Sequence, residues 1–401
     1  MSATRTEKAP ALRYVDSDGH ILEHPNGMLD YAPKGFEDRI WHIETDADGT
    51  EWCIYGDQRT PANALALAGT AGMSREEREQ AWRGEMRYTQ IRPAAYDAKA
   101  RLADLDADGI AESVLYPTML LGIAGLHDVE FADAQCRAYN DWLSDHVQEG
   151  DNRLFGVAIV PQQDIERAAD EIRRVANKPG IVGVMLRPNP TADWRPFHHE
   201  VYDPLWQAAS EVGLPIGFHP FLVADLPGAC IGLRINRLGA SHLPLDPQAG
   251  IDNLYFTQAI SNPFDMMNTM AFLLAGGVCE RYPELRIVFL EANGGWLVSW
   301  LERLDHHAEI FSWDVPALKQ EPSAYFRRQC WISFDPDEST LAFTAQSPLV
   351  GAERIVWASD YPHPDAKFPG QTEELRAAMA TLTPAQQCDI AGNSCRRLYL
   401  I

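Results

Sequence analysis

Residues 154–188 read LFGVAIVPQQDIERAADEIRRVANKPGIVGVMLRP. The run Leu154–Pro161 is almost continuously apolar and rich in Val and Ile, as a strand buried on both faces must be. Beyond it, Asp164–Ala176 places Ala168, Ile172 and Val175 on one stripe at helical spacing, with charged residues between. A second apolar run, Ile181–Arg187, follows. The unit is strand, amphipathic helix, strand.

The same alternation extends in both directions. Apolar runs recur at Tyr14–Asp18, Ser113–Pro117, Leu214–His219, Arg286–Glu291, Trp331–Asp335 and Arg354–Asp360. Helical stripes occupy Phe131–His146, Pro204–Val212, Pro263–Tyr282, Gly295–Ile310 and Glu373–Leu382. Strands and helices in this order predict an α/β protein, a (β/α)8 TIM barrel. An open doubly wound sheet is the other arrangement. It is disfavoured because no glycine-rich dinucleotide fingerprint follows any run.

Two segments break the repeat, at about residues 25–95 and 221–260. Each follows the C-terminal end of a strand, so both are expected as insertions over the active-site face of one domain spanning residues 1–401. The Trp-rich first insertion is expected to cover the mouth.

The formal charge of −23, from 34 basic and 57 acidic residues, repels nucleic acid and anionic membranes, and neither is expected as a partner. The seven cysteines are scattered without a CxxC pair, as reduced thiols are. With no leader-like apolar stretch near the start, a cytoplasmic location is expected. Ala271–Val278 is apolar but too short to span a bilayer.

Chemistry concentrates where the strands end. The first run closes on Asp18-Gly19-His20, the fifth on Phe218-His219-Pro220, the sixth on Glu291-Ala292-Asn293-Gly294-Gly295-Trp296, and the eighth on Asp360-Tyr361-Pro362-His363. Asp18 and His20 are two apart on a strand and face one side, and Gly19 lets the backbone turn closely around an ion. Two imidazoles and two carboxylates, from Asp18, His20, His219 and Asp360, suit one zinc or manganese ion with a position left open. Arg187 at the end of the fourth run suits bidentate binding of a substrate carboxylate. Trp194, Trp296 and Trp300 suit an apolar wall, with Trp296 taken as a substrate contact. Glu23 reads as the start of a loop, with support of the metal ligands as its other reading, and His363 as a residue that binds substrate or orients the site.

These pieces carry a resemblance. Asp18-Gly-His20-Ile-Leu-Glu23, Gly183-Val-Met-Leu-Arg187-Pro188, Gly277-Val-Cys-Glu-Arg281-Tyr-Pro-Glu-Leu285 and Ala358-Ser-Asp360-Tyr-Pro-His363 resemble the amidohydrolase superfamily. The branch is the one typified by aminocarboxymuconate-semialdehyde decarboxylase and the resorcylate-type decarboxylases. The resemblance implies a mononuclear metal site, an Asp360 that also handles protons, and a homodimer. One position departs from it. Relatives carry a His-x-Gly motif after the sixth strand, where this chain has Glu291-Ala-Asn-Gly-Gly.

The implied reaction is metal-dependent, non-oxidative decarboxylation of a small aromatic or unsaturated acid, with Asp360 or Glu291 giving a proton to carbon. The missing histidine keeps open a hydrolase that uses metal-activated water, with Asp360 as base. A catalytically silent ligand-binding barrel is the third reading, and it would hold no stoichiometric metal.

Overall fold

Among the residues that the computed structural model describes, 12–192, 195–221, 230, 255 and 257–401, the chain forms eleven strands. They are β1 (Tyr14–Ile21), β2 (His42–Thr45), β3 (Glu51–Tyr55), β4 (Gln58–Pro61), β5 (Ile110–Pro117) and β6 (Leu154–Ile159). The remainder are β7 (Ile181–Leu186), β8 (Ile216–Phe218), β9 (Ile287–Phe289), β10 (Cys330–Phe334) and β11 (Ile355–Trp357). Eight of them, β1 and β5 to β11, form one parallel sheet in sequence order. All eight apolar runs are represented. β8, β9 and β11 shrink to three residues each because the ladder ends before the polar strand-end residues begin.

The barrel closes through the residues that carry the chemistry. Past the end of β11, the Asp360 N–H donates to the Asp18 carbonyl (3.0 Å) and the His20 N–H to the Tyr361 carbonyl (2.8 Å). Below them the fully buried Asp16 ties three segments together. Its carboxylate accepts from Ser113 Oγ (2.6 Å), Ser359 Oγ (2.8 Å) and the Ser359 N–H (2.9 Å). Gly19 is required here for a different reason from the one expected. A Cβ on it would lie 2.4 Å from Asp16 Oδ2 and 2.5 Å from Ser113 Oγ, so the glycine makes room for the Asp16 staple rather than for an ion.

Helices follow the strands on the outside. Ile165–Val175 is capped by Asp164, whose side chain accepts from the Arg167 N–H, and it buries Ala168, Ile172 and Val175 as its stripe predicts. The stripe at Pro263–Tyr282 resolves into two helices, Asn262–Leu274 and Val278–Arg281, parted at Gly276-Gly277, where Gly277 has φ 81°. A helix at Ala98–Asp108 had no counterpart in the apolar pattern, since it buries charged residues, Arg101 and Asp108 among them.

The first insertion folds as a small antiparallel sheet, β2-β3-β4, with 3-10 turns and a helix at Arg75–Trp82. It shares one hydrophobic core with the barrel: Ile40, Trp41, Ile43 and Cys53 are all buried in that cluster. The Trp41 N–H donates to Gln135 Oε1 (2.8 Å) on the helix Val129–Gln148, and the Ala71 N–H to the Pro362 carbonyl (3.1 Å) beyond β11. The second insertion and Trp194 lie largely outside the described residues.

Candidate metal centre

Asp18 and His20 come from β1, and His219 directly follows β8. Their ligand atoms lie within 4.8 Å of one another, and all three side chains are buried. His20 Nε2 is 3.2 Å from His219 Nε2, and Asp18 Oδ1 is 3.7 Å from each. The tautomers follow from the backbone. His20 Nδ1 is 2.8 Å from the Pro117 carbonyl, and His219 Nδ1 is 2.8 Å from the Pro220 carbonyl. A carbonyl only accepts, so each Nδ1 carries the proton and each Nε2 presents a lone pair. Two lone pairs at that distance cannot hydrogen-bond each other. Asp18 Oδ1 is likewise buried without a hydrogen-bond partner. A divalent cation satisfies all three acceptors, and the residues present fit one.

Asp360 approaches from the other side. Its Oδ1 lies 3.4 Å from His20 Nε2 and 2.6 Å from His363 Nδ1. It therefore forms a second, overlapping group with His20 and His363 rather than closing on all of Asp18, His20 and His219 at once. His363 in turn stands 3.2 Å from Thr118 Oγ1, and its ring orients the Asp360 carboxylate. Glu291, two residues beyond β9, places Oε2 3.2 Å from His219 Nε2. Glu291 (φ 45°) and Asp360 (φ 53°) both adopt the left-handed backbone region, which side-chain-bearing residues rarely occupy and which is common at functional sites.

Burial without a counter-charge disfavours ionisation throughout the centre. It pushes Asp18 and Asp360 well above the usual carboxylate range, with neighbouring carboxylates adding to it, and Glu291 to about 8. It pushes His20 well down and His219 to about 3, so both imidazoles are neutral, as metal ligands must be.

A cavity opens beside these groups. Six carboxylates line it, Asp18, Glu291, Asp335, Asp337, Asp360 and Asp365, together with Gln258 and Lys367. Lys367 Nζ pairs with Asp337 at 2.5 Å. None of the lining residues comes from the first insertion, whose Trp41 packs on Tyr88 in the core. Arg187 is buried with its guanidinium over the Phe221 ring, and Trp296 lines an adjoining groove with Phe264 and Met267. Neither lines the cavity itself.

Further residues complete the surroundings of the centre. Asp335 directly follows β10, as the other site residues follow or close their strands, and that position is its signal. Asp365 and Gln258 sit in loop and helix context that announces nothing. Glu23 is a fully buried carboxylate accepting from the Thr118, Met119 and Leu120 N–H groups at 3.3, 2.9 and 3.0 Å, not a solvated loop residue.

Residues 49–401 match the amidohydrolase family, so the Asp18–His20 pair lies upstream of the match and stands on its geometry. The chain is 24% identical over 274 residues to γ-resorcylate decarboxylase of Polaromonas sp., covering 66% of this chain and 76% of that protein. A crystal structure of an amidohydrolase from Mycobacterium avium subsp. paratuberculosis superposes with a TM-score of 0.71 at 22% identity, over 98% of this chain and 100% of that one. The 5-carboxyvanillate decarboxylase of Novosphingobium aromaticivorans, solved with manganese and 3-methoxy-4-hydroxy-5-nitrobenzoic acid, superposes with a TM-score of 0.66 at 21% identity, over 97% of each chain. With a parallel eight-stranded barrel of the same form, this chain belongs to the amidohydrolase family, in its aminocarboxymuconate-semialdehyde and resorcylate decarboxylase branch.

Proposed function

We propose that this protein is a metal-dependent, non-oxidative decarboxylase of a small aromatic or unsaturated carboxylic acid. The observation that carries the reading is the convergence of His20 Nε2, His219 Nε2 and Asp18 Oδ1, all acceptors, beside two carboxyl groups able to hold protons. Distant relatives that are decarboxylases, one solved with manganese, support the reaction class. Asp18, His20, His219 and Asp360 would hold zinc or manganese. When bound, the ion supplies Lewis-acid polarisation of a substrate oxygen and neutralises part of the acidic cavity.

The chain's own residues supply the proton. Glu291 holds it at Oε2, facing the centre; burial favours the neutral form, and a cation bound beside it opposes that. As the bond from ring or alkene carbon to carboxylate carbon breaks, Oε2–H protonates that carbon and carbon dioxide leaves. Glu291 is left as a carboxylate and is reprotonated from solvent. His363 keeps Asp360 turned towards His20 during this cycle. Arg187 and Trp296 would act at the periphery of the substrate.

A hydrolase is the second reading, favoured by the same Glu291. Once ionised, it is placed to accept a proton from water beside His219. Manganese-loaded protein incubated with carboxyl-13C-labelled aromatic acids separates the two. Labelled carbon dioxide that disappears in His219→Ala supports the decarboxylase. Hydrolysis of an ester or amide panel without carbon dioxide would replace it. A homodimer remains part of the proposal, with exposed Phe264, Phe311 and Trp313 as surface for it.

A further inference from the structure

The Glu291 carboxylate is aimed from behind. A single π-helical turn, Thr257–Ser261, leads into the helix Asn262–Leu274 and brings Gln258 to the cavity wall. Gln258 Nε2 donates to Glu291 Oε1 at 3.1 Å. Asn262 Nδ2 donates to Gln258 Oε1 at 2.8 Å and reaches the Glu291 backbone carbonyl at 3.4 Å.

The direction of this chain follows from its last member. A backbone carbonyl only accepts, so Asn262 must turn its NH2 towards it and towards Gln258. Gln258 then receives at Oε1 and has only its NH2 left for Glu291. Glu291 Oε1 is thereby fixed as an acceptor, and Oε2 is the oxygen left to face His219 Nε2.

We propose that Gln258, held in one amide orientation by Asn262, is the positioning residue that aims Glu291 Oε2 at the metal centre. The role of Glu291 as proton donor rests on the decarboxylase reading, whereas its aim does not. Gln258, in the π-turn, and Asn262, at the start of the helix, are four apart and lie on the face towards Glu291.

The test uses metal-loaded, full-length Gln258→Leu, Asn262→Asp and the double variant. A leucine at 258 keeps bulk and loses both hydrogen bonds. An aspartate at 262 can only accept, which turns the Gln258 carbonyl against Glu291 Oε1. The crystal structure of Gln258→Leu should show the Glu291 carboxylate displaced from His219 by about 1 Å, with the metal retained. Turnover should fall by about a hundredfold with KM unchanged. Asn262→Asp should lose as much, and the double variant no more than either, because both act through one contact. Gln258→Ala, which needs no repacking, carries the same structural test if the leucine variant fails to fold. A Glu291 carboxylate that keeps its 3.2 Å approach to His219 in the 258 variants overturns the proposal. So does a double variant whose losses multiply. If the native protein decarboxylates nothing, the functional reading falls while the crystal structures still decide this one.

Discussion

Glu291 Oε2 lies 3.2 Å from His219 Nε2, an acid oxygen opposite an imidazole nitrogen whose other ring nitrogen is already committed to the Pro220 carbonyl. Only a proton or a cation makes that approach favourable. The chemistry of the site turns on which of the two is there at each stage.

Glu291→Gln keeps shape and hydrogen bonding but removes the transferable proton. It should retain its metal and lose turnover by about a hundredfold or more, as positioned acid–base groups do. Near-normal turnover measured on metal-replete variant would reduce Glu291 to scaffolding and leave Asp360 as the donor.

The metal-free protein should lose stability as pH rises. Folding raises the carboxyl of Glu291 from 4.5 to about 8 and that of Asp335 from 3.8 to about 7, both chiefly by burial. The folded form thus holds protons that the unfolded chain has released. The stability this gives is full below the unfolded values and is lost as pH climbs through 7 to 8. Thermal melts of chelator-treated protein between about pH 7 and pH 8.5, above the range in which the buried neutral histidines oppose this slope, should show the melting temperature falling, with the increment from added manganese largest at the alkaline end. A metal-free melting temperature that rises across that interval contradicts the assignment of these buried acids.

Gly19→Ala should destabilise the fold by about 1–3 kcal/mol, the cost of overpacking a closed contact. The added methyl would meet the Asp16–Ser113 pair. Denaturant titration of the variant measures it. An unchanged midpoint would mean that the Asp16 staple moves freely.

His363→Ala should lower turnover by about tenfold while metal content stays constant, because it frees the Asp360 carboxylate from its 2.6 Å partner. Metal loss in this variant alone would instead make His363 a ligand.

The barrel was legible because buried parallel strands leave continuous apolar runs, and all eight runs from Tyr14 to Asp360 correspond to strands. The convergence of Asp18, His20 and His219 was legible for the same reason, since strand order dictates which ends meet. What the pattern hid was of other kinds. Gln258 acts from a helical turn, where a glutamine reads as a solvated residue. The role of Gly19 depends on the buried Asp16, whose hydrogen bonds to Ser113 and Ser359 join distant segments and leave no local pattern. The β2–β4 sheet of the first insertion alternates too weakly to register, with β4 exposed along its length. Trp41, in the insertion expected to cover the mouth, belongs to the core.

The claim on which the rest depends is that Asp18, His20, His219 and Asp360 hold one divalent ion. Metal analysis of the purified protein, native and as His219→Ala and Asp360→Ala, tests it most directly. About one zinc or manganese ion per chain is expected in the native protein, with its loss from both variants while their circular dichroism stays that of a folded barrel. A native protein that stays metal-free after reconstitution, or variants that hold the ion fully, would contradict it.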